Sequence, residues 1–181
     1  MQLSPIAPTQ LASFPIPFPG GPGHPSWRDM YNAVHGVTPT PFTPAEDELL
    51  ASIALHARLD ADVAAATIRA AYNATPSVFD IRQNLLVLAA ATLAKNADTA
   101  GVAKAAYTAT PAALNPDQTA AVIAAALLSR IPATEVTEIV KRSYAQSPTT
   151  WSPEQNTSAM LGSLFLTDAN PKAEELSLIH I

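Results

Sequence analysis

Tyr107-Thr108-Ala109-Thr110-Pro111-Ala112-Ala113-Leu114-Asn115 is the stretch on which the fold turns, because the chain writes this pattern four times. The other copies begin at His35, Tyr72 and Tyr144. In each, a ring residue is followed three positions later by Thr or Ser and then by Pro. A large apolar residue comes next (Phe42, Phe79, Leu114, Trp151), and then a residue suited to capping a helix (Thr43, Asp80, Asn115, Ser152). The copies start 37, 35 and 37 residues apart, a period expected of helical hairpins stacked on one another.

Working outward, each capping residue is followed three positions later by Glu or Gln: Thr43/Glu46, Asp80/Gln83, Asn115/Gln118 and Ser152/Gln155. That is capping-box spacing, in which each side chain satisfies the other residue's free backbone N–H. Pro44, Pro116 and Pro153 fall at the first helical position, where the missing N–H costs nothing. On the other side, the residue before a proline is pushed out of the α region, so Thr38, Thr75, Thr110 and Ser147 close the preceding helix. These signals predict a first set of helices at about 27–35, 61–74, 98–109 and 133–146, and a second at about 44–58, 81–95, 116–130 and 153–166. Apolar residues follow a period of 3.6 rather than 2, with Leu49, Ile53 and His56 expected on one helix face. The second helices are apolar around most of their circumference, as in Leu85-Leu86-Val87-Leu88, which predicts burial on several sides.

The expected fold is all-α: a right-handed α-solenoid of about four helix-turn-helix repeats of 35–37 residues, with hairpins at approximately 26–58, 59–95, 96–130 and 131–167. In period, and in Ala105-Ala106-Tyr107 followed by Asn115-Pro116, the chain resembles the tetratricopeptide-type solenoids across residues 26–167. The resemblance implies the architecture and the family's habit of binding peptides. It carries over no functional residue, because the small residue usual inside that family's first helix has no repeated counterpart here.

The ends are read separately. Residues 1–25 hold seven prolines and three glycines, and Phe14-Pro15-Ile16-Pro17-Phe18-Pro19 favours an extended polyproline II arm. Leu176-Ser177-Leu178-Ile179-His180-Ile181 resembles the in-frame translation of a sequencing-library adapter, as on a metagenomic fragment. That reading puts 176–181 outside the fold and makes 168–175 a linker, or the start of sequence continuing past Glu175.

A formal charge of −5 with 14% charged residues argues against nucleic-acid binding. Zero cysteines exclude disulfides, thiolate zinc sites and cysteine nucleophiles. The first residues do not read as a signal peptide, and no apolar run approaches the ~20 residues of a membrane span. No membrane role is expected, and a cytoplasmic location is favoured.

Scarce charges make their placement informative. Arg58, Lys95 and Arg130 fall fifteen positions after their caps, while Arg69, Lys104 and Lys141 fall three before the repeat tyrosines, both sets on what is expected to be a last helical turn. The plainer account is that they complement helix dipoles, at about 0.3–1 kcal/mol apiece. The sharper one is that stacking lines them up for an acidic or phosphorylated partner. The rings His35, Tyr72, Tyr107 and Tyr144 are expected to pack beneath the Thr/Ser-Pro connections; on an open face, Tyr72, Tyr107 and Tyr144 would instead grip proline-rich peptide, including the chain's own arm. His56 is expected to be a partly buried packing residue, and Glu46-Asp47-Glu48 a solvent-facing cluster on a first turn.

No catalytic, metal-binding or cofactor-binding constellation is legible. The expected function is therefore a non-enzymatic scaffold or adaptor holding a peptide or protein partner. Two alternatives stand beside it: a structural subunit that oligomerises through residues 1–25, and the N-terminal helical domain of a larger enzyme.

Overall fold

A computed structural model describes residues 26–168; the expectations for 1–25, 169–175 and 176–181 lie outside the described residues. The described chain is all-helical, with eight helices and no strand among those residues: α1 Trp27–His35, α2 Pro44–His56, α3 Ala61–Ala74, α4 Ile81–Ala94, α5 Thr99–Ala109, α6 Pro116–Leu128, α7 Ala133–Ala145 and α8 Pro153–Asp168.

Each connection inside a pair is built by the same relay of hydrogen bonds. The hydroxyl of the pre-proline residue donates back to a carbonyl of the finishing helix: Thr38 to Val34 (3.1 Å), Thr75 to Tyr72 (2.7 Å), Thr110 to Ala106 (2.7 Å) and Ser147 to Ser143 (3.0 Å). The proline carbonyl then accepts from the residue three further on, Phe42, Phe79, Leu114 or Trp151, at 3.0–3.1 Å, which closes a turn. Phe42, Phe79 and Leu114 plug this turn into the core at 8% exposure, whereas Trp151, at the end of the stack, remains 40% exposed. The next residue caps the following helix. All four capping boxes are reciprocal; Asn115 and Gln118, for example, exchange bonds of 2.9 Å in both directions.

Packing follows this spacing. Helices pair in order (α1 with α2, α3 with α4, α5 with α6, α7 with α8), and each also packs against the helix two further along. Odd helices therefore form one layer and even helices the other. Between them lie residues in equivalent positions: Ala51, Leu88, Ile123 and Met160 from the even layer, and Ile68, Ala103 and Val140 from the odd layer, all fully buried. The near-continuous apolarity of α4 and α6 follows from this arrangement, since each touches three neighbouring helices.

The sequence places the ends of α2, α4 and α6 one or two residues too late. Arg58, Lys95 and Arg130 lie past those ends in the left-handed region, at φ 56°, 54° and 56°. Around Arg58 the bonds Arg58 N–H to Leu55 O (3.0 Å) and Leu59 N–H to Ala54 O (3.1 Å) form a Schellman motif, with Leu59 buried behind it. Glycine is the usual occupant of that position, and a Cβ there costs roughly 1–2 kcal/mol. Arg58→Gly, Lys95→Gly and Arg130→Gly are each expected to raise unfolding free energy by about 1 kcal/mol, read from urea midpoints, with the matching alanine variants giving no gain.

Candidate functional site

The expected partner-binding residues lie on the odd layer, near the connections. Arg69 on α3, Lys104 on α5 and Lys141 on α7 occupy the same register position on helices that pack side by side, and all three are exposed. Among the described residues none of them has an acidic partner within ion-pairing distance; the one such contact is His35–Asp47. The structure corrects their expected place on a last turn. Arg69 and Lys104 stand five residues before their helix ends, Ala74 and Ala109, and Lys141 four before Ala145. Helix-dipole attraction fades beyond the final turn, so it accounts poorly for this row. Arg58, Lys95 and Arg130, by contrast, sit right at even-helix ends, where the dipole account serves.

The rings of the repeats have differing surroundings. Tyr72 and Tyr144 are half-buried against the core, while Tyr107 is 41% exposed and meets Phe79 edge-on at 6.5 Å, the plug of the preceding connection. His35 is different again: it stacks in parallel on Tyr31 at 5.7 Å, and its Nδ1 lies 2.6 Å from Asp47 Oδ2. An ionised carboxylate only accepts, so the imidazole donates from Nδ1.

Asp47 overturns part of the reading of the acidic cluster as solvent-facing: it is 3% exposed. The face assigned to Leu49, Ile53 and His56 is also corrected. Leu49 and His56 are exposed and Ile53 half-buried, and α2 buries Asp47, Leu50, Ala51 and Ala54 instead. His56 is thus no packing residue. The signal for Asp47 was present in the repeat: four positions after each cap stand Asp47, Asn84, Thr119 and Asn156, and all four are buried. Thr119 satisfies its hydroxyl on the Asn115 carbonyl at 3.0 Å. Oδ1 of Asp47, Asn84 and Asn156 has no hydrogen-bond partner among the described residues.

The even-helix starts are tied together at two of their three junctions. Gln83 Nε2 donates to Asp117 Oδ1 (2.9 Å), and Gln118 Nε2 to Glu154 Oε1 (3.2 Å). The Glu154 carboxyl is held below its usual range, first by the backbone N–H at the helix start and then by the Ser152 hydroxyl. At the first junction Glu46 and Arg82 stand in the equivalent places, and among the described residues Glu46 bonds within its own capping box alone. Here a cavity of about 370 Å³ opens, lined by Pro41, Phe42, Tyr72, Phe79, Arg82 and Asn84 among others.

No group of three or more His, Cys, Asp or Glu side chains among the described residues could hold a metal ion, and no described helix is long and apolar enough to cross a membrane. Compared with protein-family models, curated proteins and solved structures, the chain finds no match.

Removing the imidazole strands a buried carboxylate, so His35→Ala is expected to cost about 1–3 kcal/mol of stability. In an Asp47→Asn background, which copies Asn84 and Asn156, the same change is expected to cost less than half as much. A double-mutant cycle by urea denaturation measures this; equal costs in both backgrounds would mean that the pair contributes nothing specific.

Proposed function

We propose that this chain is a non-enzymatic helical-repeat scaffold, a right-handed α-solenoid of about four hairpins similar in architecture to the tetratricopeptide type, which holds an acidic segment of a peptide or protein partner. The observation that carries this reading is the row Arg69, Lys104 and Lys141: exposed, in register on neighbouring helices, without acidic partners among the described residues, and too far from the helix ends for dipole complementation to account for it. Tyr72, Tyr107 and Tyr144, three residues further along each helix, supply flat apolar surface beside the cations. Asp62 and Glu135 lie on the first turns of α3 and α7, at the opposite ends from the cations, while Glu138 stands one turn before Lys141. A partner's negative charge is thereby drawn toward the connection edge and repelled from the other.

Lys104→Glu combined with Lys141→Glu is expected to weaken binding of acidic probes, such as glutamate-rich or phosphoserine peptides on an array, by tenfold or more. Thermal stability should hold, and residual binding should fall with added salt. Equal loss of binding and stability would make the lysines part of the fold rather than of a recognition surface.

A second reading, as an assembly subunit, is favoured by the outer face of the even layer. Leu86, Leu93, Leu128 and Phe165 are each at least 37% exposed there, and α4, α6 and α8 carry no charged residue between Arg82, Asp117 or Glu154 and Ala94, Leu128 or Thr167, respectively. If that face joins copies, light scattering will give a mass above one chain that falls to the monomer in Leu93→Glu. An unchanged monomer before and after the substitution rejects the assembly role.

A further inference from the structure

The cation row has a spacing as well as a sign. α3, α5 and α7 pack side by side, and packed helices stand roughly 8–10 Å apart from axis to axis. Arg69, Lys104 and Lys141 share one register, so they repeat at about that distance. The row also has an end. On α1, which packs on the other side of α3, the equivalent position holds exposed, uncharged Asn32. The two flanks of the row differ in charge. Toward the helix starts lie Asp62, Asp98, Glu135 and Glu138, with Asp98 Oδ1 accepting from the Gly101 N–H at 3.0 Å. Toward the connections, no acidic residue intervenes between any of the three cations and the next cap, Asp80, Asn115 or Ser152. On that side stand Tyr72, Tyr107 and Tyr144.

Resting on the acidic-partner reading above, we propose that the partner segment is a polyproline II strand with a carboxylate at every third residue. Three carboxylates meet Arg69, Lys104 and Lys141 in turn, and prolines between them face the tyrosines. Polyproline II has three residues per turn and rises ~3.1 Å per residue, so residues i, i+3 and i+6 share one face at intervals of about 9 Å. That interval matches the helix spacing. A β-strand shows every second residue on one face, at intervals of roughly 6.6 or 13 Å, and misses the spacing both ways. An α-helix meets it only through residues i, i+7 and i+14, at ~1.5 Å per residue. A docked helix is held by an apolar stripe, and among the described residues of α3, α5 and α7 the exposed large apolar side chains are Val63 and Tyr107 alone.

The tyrosines favour the same conformation. A strand with three residues per turn has a second face beside its acidic one, and a proline following each carboxylate lies there. Aromatic surfaces take such strands because they are already extended and lose little entropy on binding. Approach from the connection side also keeps the carboxylates away from Asp98, Glu135 and Glu138. On α7, exposed Arg142 adds a second cation beside Lys141. The chain's own proline-rich stretch is not the occupant, since residues 1–25 contain no Asp or Glu.

Three labelled peptides of equal charge test the spacing by fluorescence anisotropy on the full chain. The first repeats Glu-Pro-Ala three times. The second has the same composition with its three glutamates adjacent, and the third is an alanine-rich helix with glutamates at i, i+7 and i+14. At low ionic strength, where exposed charges are least screened, the first is expected to bind roughly fivefold or more tightly than either of the others. Lys104→Ala combined with Thr108→Lys keeps the net charge and moves the central cation one turn along the exposed face of α5. With native helicity checked, that variant is expected to remove the first peptide's advantage and to leave the second peptide's affinity unchanged. Preference for the helical peptide, or an advantage that survives the moved cation, would overturn the proposal. If all three peptides bind alike and all weaken in Lys104→Glu with Lys141→Glu, the spacing is wrong while the acid-binding scaffold stands. Binding of none of them overturns both.

Discussion

Everything in this fold depends on reversing the chain between helices without leaving backbone groups stranded. A helix end leaves carbonyls unpaired and a helix start leaves N–H groups unpaired, and each connection within a pair has room for only a few residues between the two. The relay solves both problems in sequence. A Thr or Ser hydroxyl takes a carbonyl of the finished helix, the proline carbonyl closes the turn, an apolar side chain fixes it to the core, and a capping box opens the next helix. Proline fits because its fixed φ suits the turn and its missing N–H would have had no partner there. Each part repeats in order, so each hairpin presents the same faces to its neighbours, and two continuous layers follow from local chemistry.

A rigid connection also fixes what happens one turn into the second helix. The position four after the cap is carried inward every time, and a polar residue occupies it every time. Thr119 turns its hydroxyl onto its own helix, whereas Asp47 is met by the one ring residue that is histidine. Where the ring is His the residue four after the cap is Asp, and where the ring is Tyr that residue is Asn or Thr. The first copy differs at the junction as well, with Glu46 and Arg82 in place of the Gln and carboxylate that tie the later ones. The first hairpin therefore obeys the same backbone rules with another set of polar partners, and the cavity lies where those partners change.

The helices were largely legible because their punctuation is chemical. Caps, prolines and pre-proline residues act within three or four positions, and six of the sixteen expected helix ends moved, by one or two residues each, apart from those that coincided. Three of those shifts share one cause: Arg58, Lys95 and Arg130 adopt a left-handed conformation that a sequence announces only when the residue is glycine. Burial was harder to read. Leu49 and Ile53 look like core and Asp47 like surface if residue type decides, yet the phase of the helix decides. Comparing the four copies column by column exposes the buried polar position, whereas reading α2 alone hides it. The cavity had no local signature, since its lining comes from two connections and two helices far apart in sequence.

The two rows of cations looked equivalent in the sequence and are separated by their distance from a helix end. Arg58, Lys95 and Arg130 stand where unpaired carbonyls concentrate partial negative charge, which is reason enough for a cation even at the expense of backbone strain. Arg69, Lys104 and Lys141 stand a turn further back, on helices whose other charges are few, and no acidic side chain among the described residues reaches them. An exposed cation in water needs no partner, so one such residue means little. Three in register on adjacent helices repel one another slightly and do nothing for the helix ends. The fold gains nothing evident from that arrangement, and an anion laid across the three helices would gain from all of them at once.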